Sequence, residues 1–189
     1  MSKLYALFDF ELNQKHQKSI EEFVEVCKKL DAKIIQYRDK VSNIDTKIEN
    51  LIKLKQLWEG ILLVNDSVEL ALFCDGVHLG QEDLKTFDYD SKKAVEKVRE
   101  HIGKKMLGLS THNKEEIEIA NSLDIDYIGL GAYRETSTKK DIRGVLGSQV
   151  EKLSKLSTHP VAVIGGVKVE DEIDFAEYRV VGSDLYLYY

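Results

Sequence analysis

The sequence predicts an α/β fold closed into a (β/α)8 barrel, and three observations lead there. Strand-like and helix-like segments alternate from one end of the chain to the other. The strand-like runs are apolar throughout, as parallel strands covered by helices are. There are about eight of them, enough to close a barrel. An open doubly wound sheet is the alternative. No G-x-G-x-x-G follows the first strand, so the dinucleotide-binding version of that sheet has no support.

Each element has its own signal. Leu4 to Phe8 is a short apolar run and reads as the first strand. Ser19 to Leu30 carries Ile20, Phe23, Val24 and Cys27 at helical spacing. Ile34 and Ile35 make Lys33 to Tyr37 the second strand. Asn43 to Leu57 is an amphipathic helix through Ile44, Ile48, Leu51, Ile52 and Leu54. Ile61 to Val64 and Gly76 to Leu79 are strands three and four, joined by a short helix over Ser67 to Phe73. Ser91 to His101 turns Ala94, Val95 and Val98 inward, and Met106 to Leu109 is strand five. Lys114 to Leu123 is a helix with Ile117 and Ala120 on one face. Tyr127 to Leu130 is strand six, followed by a long polar loop from Gly131 to Gly147. A helix over Ser148 to Leu156 leads to strand seven, Val161 to Ile164, which Pro160 opens at a position that tolerates proline. A short helix around Val169 to Ala176 precedes strand eight, Arg179 to Val181. No helix is expected beyond it. A partner copy, as in a homodimer, or the Leu185 to Tyr189 run is then expected to cover the apolar surface left there.

The chain has 189 residues, and a single domain over 1–189 is expected. A formal net charge of −6 gives no support to a nucleic-acid surface. No apolar run is long enough to cross a membrane, and the first residues enter a strand without a signal-peptide pattern. Cys27 and Cys74 form neither a disulfide framework nor a metal-ligand spacing. A cytoplasmic protein acting on small molecules is the expectation.

The polar residues just past each strand collect on one rim, the edge where parallel barrels bind ligands. Strand two supplies Gln36, Arg38 and Lys40, which alternation aims the same way. Asn65 and Asp66 follow strand three, and Asp83 follows strand four. Ser110 and His112 follow strand five, and Thr136, Thr138 and Lys139 lie in the strand-six loop. Gly165 and Gly166 follow strand seven, and Gly182 and Ser183 follow strand eight. Two carboxylates, Asp66 and Asp83, suit Mg²⁺ together with phosphate oxygens. Their other reading is structural, with Asp66 capping a helix and Asp83 closing a turn. His112 likewise reads as a helix-start residue. The combination fits a polyphosphate held by cations, amides and a metal ion. The glycines let backbone N–H groups approach a second phosphate.

These motifs resemble the thiamine-phosphate synthase family. The likeness is carried by Q-Y-R-D-K (Gln36 to Lys40), V-N-D (Val64 to Asp66) and D-G-V-H-L-G-Q-E-D-L (Asp75 to Leu84). It continues in G-L-S-T-H (Gly108 to His112), T-S-T-K (Thr136 to Lys139) and I-G-G-V (Ile164 to Val167), in family order. The resemblance implies a barrel that joins hydroxymethylpyrimidine diphosphate to a thiazole phosphate, giving thiamine phosphate and pyrophosphate. It assigns Asp66 and Asp83 to Mg²⁺. It gives Gln36, Arg38, Lys40, Asn65, Ser110 and Lys139 to the pyrimidine diphosphate, with Lys139, Arg38 and Lys40 as the catalytic cations. Thr136, Thr138, Gly166 and the Val181-Gly182 backbone go to the thiazole phosphate.

The chain also departs from the pattern. Ser67 replaces a common arginine, Ala132-Tyr133-Arg134 replaces Pro-Val-Phe, and Val181-Gly182-Ser183 replaces Val-Ser-Ala. Arg134 reads either as a solvated charge or as a substitute ligand for the thiazole phosphate. Two other functions stay open. One is a thiazole tautomerase, in which His112 would be the general acid/base. The other is a non-catalytic barrel that binds only the pyrimidine diphosphate.

Overall fold

The alternation closes as expected. The computed structural model describes residues 1–135 and 144–189. Eight parallel strands pair in sequence order, and the last returns to the first. They are β1 (Lys3–Asp9), β2 (Ile34–Arg38), β3 (Ile61–Asn65), β4 (Gly76–Leu79), β5 (Met106–Thr111), β6 (Tyr127–Leu130), β7 (Val161–Val163) and β8 (Tyr178–Val181). Between them run helices α1 (Phe10–Lys15), α2 (Ile20–Lys29), α3 (Ile44–Leu57), α4 (Gln81–Lys85), α5 (Ser91–Ile102), α6 (Lys114–Ala120) and α7 (Gln149–Ser154). Closure is seen in the register of Ala6 with Val181 and of Tyr5 with Ile34. No helix among the described residues is long and apolar enough to cross a membrane.

The period of two along each strand divides the core in two. One set of side chains, from Phe8, Ile35, Leu62, Val77 and Leu109 among others, packs outward against the helices. There the Phe8 and Phe23 rings meet edge to face at 4.9 Å. The other set, Tyr5, Leu7, Ile34, Leu63, Tyr127, Ala162 and Val180, fills the barrel itself. Tyr127 fits because residue 108 is glycine. A Cβ there would come within 2.2 Å of the Tyr127 ring.

The floor of the barrel is fixed by two aspartates at strand starts. Asp75 accepts the Leu62 amide at 2.8 Å and both carboxylate oxygens accept from Lys55. Asp126 accepts the Leu107 amide at 2.7 Å and one guanidinium nitrogen of Arg99 at 2.9 Å. The D-G-V-H-L-G-Q-E-D-L stretch therefore serves both ends of the barrel, with Asp75 at the floor and Asp83 at the mouth.

Several elements differ from the sequence expectation. Helix α1 was not anticipated. It forms because Asp9 caps it, accepting the Leu12 amide at 3.0 Å. The Ser67 to Phe73 helix is a 3₁₀ turn over Glu69–Phe73. Asp83 follows strand four as expected and sits in the first turn of α4, a helix the sequence reading did not include. No helix forms over Val169 to Ala176; the segment runs as turns, and side chains hold the amides at its start. Asp171 accepts the Lys168 N–H at 2.8 Å and Asp184 accepts the Val169 N–H at 2.9 Å. After β8 only a 3₁₀ turn follows, Ser183–Leu187. Within it Leu185 is buried, and Tyr186 stacks on His16 at 4.3 Å and lies against Phe23. The C-terminal run thus covers the wall next to α2, one of the two expected covers.

Candidate active site

The mouth is built from the strand ends, beginning with β1 and β2. Alternation turns Asp9, Gln36 and Arg38 toward the barrel axis. Asp9 caps α1 with one oxygen and accepts an Arg38 guanidinium N–H with the other. Both side chains are nearly inaccessible, at 6% and 11% exposure. The Arg38 Nε is buried with no protein partner among the described residues. Leaving such a donor unmatched costs roughly 1–3 kcal/mol, which an anionic ligand would recover.

Next around the rim stand the two proposed metal ligands. Asp66 follows β3 in a left-handed backbone conformation, with φ of 65°. Among residues with a Cβ only a few, aspartate included, adopt this readily. The Asp66 amide is held by the His78 carbonyl at 2.9 Å. This bend brings the Asp66 carboxylate beside Lys40, whose Nζ lies at 3.4 Å, and close enough to Asp83 for their charges to interact. Asp83 accepts the Gly80 amide at 3.2 Å. Burial, then the Asp83 charge, raise the Asp66 pKa above the usual carboxylate value, with Lys40 pulling the other way. Among the described residues no three His, Cys, Asp or Glu side chains gather as a ligand set. Two facing carboxylates and open rim suit Mg²⁺, which takes one or two carboxylates and completes its shell with water and phosphate. Asn65 stands beside them, half-buried at the end of β3.

Below this rim runs a chain of buried polar groups. The Gln36 amide nitrogen donates to the Tyr5 hydroxyl at 2.6 Å. The Tyr5 and Tyr127 hydroxyls meet at 2.9 Å, and the Tyr127 hydroxyl meets His78 Nδ1 at 2.9 Å. His78 Nε2 meets Ser110 Oγ at 2.9 Å. Burial pushes both phenols well above their ordinary pKa, so both are neutral. The direction of the chain then follows from its Gln36 end. Tyr5 accepts from Gln36 and passes its proton toward Tyr127, and Tyr127 donates to Nδ1. His78 is thereby assigned the Nε2–H tautomer, which donates to Ser110 and leaves the Ser110 O–H for the mouth. Residue 129 is glycine opposite this ring. A Cβ there would lie 2.9 Å from it.

The rim from β6 to β8 is different. Gly165 and Gly166 turn with positive φ, and a Cβ on either would strike the β6 loop at 2.7 Å. Arg134 is 42% exposed, yet its guanidinium is engaged within the protein. Its guanidinium holds Asp171 through two contacts, at 2.6 and 3.0 Å, and reaches the Gly166 carbonyl at 3.2 Å. Val181 is buried and Gly182 is half-buried at the end of β8. His112 is tied to Glu116 by its backbone amide at 2.8 Å and its ring Nδ1 at 2.9 Å. Thr136, Thr138 and Lys139 lie outside the described residues.

With this geometry in view, the comparisons with known proteins decide the family. The model for thiamine monophosphate synthase matches residues 4–183. The chain belongs to that family. A thiamine-phosphate synthase of Lawsonia intracellularis is 38% identical over 87% of this chain and 74% of its own length. One from Pelotomaculum thermopropionicum is 39% identical over 72% of this chain and 62% of its own length. The solved thiamine phosphate pyrophosphorylase from Pyrococcus furiosus superposes with a TM-score of 0.75 at 24% identity. That likeness in fold covers 98% of this chain and 91% of the other.

Within this family's pattern, the structure gathers Gln36, Arg38, Lys40, Asn65, Asp66, Asp83 and Ser110 on one side of the mouth. Gly166, Val181 and Gly182 lie at the ends of the adjoining strands. Sequence reasoning missed Asp9, Tyr5, His78 and Tyr127. A signal for three of them was present. Tyr5, His78 and Tyr127 are polar-tipped residues at inward-facing strand positions, where an apolar side chain would be expected. Asp9 gave only the weaker signal of an aspartate ending a strand.

Proposed function

We propose that this chain is the synthase its family name describes. It joins hydroxymethylpyrimidine diphosphate to thiazole phosphate, releasing thiamine phosphate and pyrophosphate. The thiazole nitrogen forms a bond to the pyrimidine methylene as the bond from that carbon to the diphosphate oxygen breaks. The observation that carries this reading is the charge arrangement around Asp66. A bent strand end presents Asp66 to Asp83 and Lys40, beside a buried Arg38 whose Nε has no protein partner among the described residues.

The chain's own residues would work by binding and by holding charge. Arg38 and Lys40 would bind the diphosphate and stabilise it more strongly as it leaves, since negative charge grows there in the transition state. Lys139 would join them from the β6 loop. Ser110, its hydroxyl oriented by His78, would donate to the pyrimidine, and Gln36 and Asn65 would fix its position. Gly166 and the Val181-Gly182 backbone, with Thr136 and Thr138, would hold the thiazole phosphate. Asp66 and Asp83 would hold Mg²⁺, which when bound neutralises diphosphate charge. We assign the reaction to the cytoplasm, where the free thiols of Cys27 and Cys74 stay reduced.

The test is a coupled assay for thiamine phosphate from the two substrates and Mg²⁺, alongside calorimetry with each substrate alone. The synthase binds both and turns them over. Binding of thiazole phosphate alone would favour the tautomerase, and binding of pyrimidine diphosphate alone would favour a non-catalytic barrel.

A further inference from the structure

We propose that Arg134 and Asp171 form a positioning clamp that sets the three loops of the thiazole-phosphate half in register. The inference rests on the proposed function and goes beyond it, since neither residue belongs to the substrate contacts assigned above. Arg134 stands where the family pattern quoted above has phenylalanine, so the clamp belongs to this chain's own departure.

The geometry is a continuous chain of contacts across three strand ends. From the β6 loop, the Tyr133 amide donates to the Ile164 carbonyl at 2.9 Å, and the Arg134 amide donates to the Gly165 carbonyl at 2.8 Å. The Arg134 guanidinium then reaches over the β7 turn to the Gly166 carbonyl and closes on both oxygens of Asp171. Asp171 also accepts the Lys168 amide. One residue further, the Val169 amide donates to Asp184, just past β8. The guanidinium also lies over the Tyr133 ring, 4.5 Å from its centroid.

A bidentate guanidinium–carboxylate pair has a defined geometry, unlike a flexible point charge. It therefore holds the Gly165-Gly166 turn, whose carbonyls it and its own amide occupy, at one distance from the β6 loop. Among the described residues no backbone acceptor meets the Gly165 and Gly166 N–H groups, which are available to a phosphate. A shift of about 1 Å in such a turn is enough to lose most of its contacts to an anion.

The experiment compares wild type with Arg134→Ala, Arg134→Lys, Asp171→Asn and the swapped pair Arg134→Asp/Asp171→Arg. KM for each substrate, kcat and calorimetric binding of thiazole phosphate are measured. Loss of the clamp should raise KM and Kd for thiazole phosphate on the order of 10- to 100-fold. KM for pyrimidine diphosphate should stay within about twofold, Arg134→Lys should lie between, and the swapped pair should recover part of the loss. Unchanged thiazole phosphate binding in Arg134→Ala and Asp171→Asn overturns the clamp, and so does an equal rise in both KM values. The proposed function fails separately. A wild type that binds thiazole phosphate but makes no product defeats the synthase reading while leaving the clamp supported if the variants lose that binding. A wild type that binds no thiazole phosphate overturns both.

Discussion

Around the mouth from β1 to β5, charged groups are incompletely matched, whereas among the described residues from β6 to β8 Arg134, Asp171 and Asp184 all find partners. On the first side Arg38 has a buried Nε without a protein partner among the described residues, and Asp66 faces Asp83 with Lys40 at 3.4 Å. On the second side Arg134 and Asp171 close a bidentate pair, and Asp184 takes a backbone amide. The first arrangement leaves side-chain charge available to a charged ligand and a cation. Among the described residues the second leaves glycine backbone, with Arg134 and Asp171 employed in shaping it. Among the described residues, one rim thus offers two kinds of phosphate recognition, by ions on one side and by positioned amides on the other.

The sharpest way to break this contrast is at Asp9, the only carboxylate matched to Arg38 among the contacts seen. Asp9→Ala removes both the α1 cap and the partner of a buried guanidinium. Breaking a buried pair costs about 3–5 kcal/mol, and urea denaturation should read a loss of that order. Inorganic pyrophosphate should restore more stability to this variant than to wild type, because it would meet the freed guanidinium. A loss under about 1 kcal/mol would mean that Arg38 is better satisfied than the contrast requires.

The next largest effect belongs to the facing carboxylates. Asp66→Asn is the informative change, because asparagine tolerates the left-handed backbone where alanine would be strained. Asp66→Asn and Asp83→Ala should each weaken Mg²⁺-dependent binding of pyrimidine diphosphate by about 100-fold. Melting without Mg²⁺ should show no comparable loss of stability. Calorimetry giving the same Mg²⁺ dependence as wild type would remove both residues from the metal.

A smaller effect is expected from the buried chain beneath the ionic side. Tyr127→Phe removes the hydroxyl through which Tyr5 and His78 are connected. Stability should fall by about 1–3 kcal/mol. kcat/KM should fall as well, because Ser110 and Gln36 lose their common support. If His78→Asn and Tyr127→Phe proved additive in a double-mutant cycle, the groups would not be acting as one network.

The same contrast explains what the sequence revealed and what it did not. The barrel was legible because parallel strands buried on both faces must be apolar throughout, and Leu4 to Phe8 or Ile61 to Val64 admit little else. Gln36, Arg38, Asn65 and Asp66 were legible as rim residues because alternation and strand ends place them. Asp9 was not, since its meaning depends on Arg38, a partner on the next strand. The Val169 to Ala176 segment has helix-compatible residues yet runs as turns, and its Val169 amide is held by Asp184, a residue beyond β8 that the local pattern does not reveal. Arg134 was read as a solvated charge or a phosphate ligand. Only the fold brings Asp171, 37 positions later, to its guanidinium.

The smallest predicted effect separates the two sides by pH. Burial alone would raise the Asp171 pKa, but the Arg134 guanidinium and the Lys168 amide outweigh it and hold the carboxyl below its ordinary value. A carboxylate with a depressed folded-state pKa binds protons less readily than in the unfolded chain. Its contribution is therefore present above the unfolded value, near 3.9, and is lost as pH falls through the folded one. Asp171→Asn should cost about 1 kcal/mol at pH 7, modest because Arg134 is partly exposed and the pair is screened. The gap between variant and wild type should narrow below about pH 4 and vanish at lower pH. At Asp66 the sign reverses, because its pKa is raised and its charge opposes folding in the absence of a cation. Urea midpoints for Asp171→Asn and wild type, measured from pH 7 down to about pH 3, decide the matter. A gap that stays constant across that range would show that Asp171 acts through shape and hydrogen bonding without its charge, and the contrast between the two sides would lose its electrostatic basis.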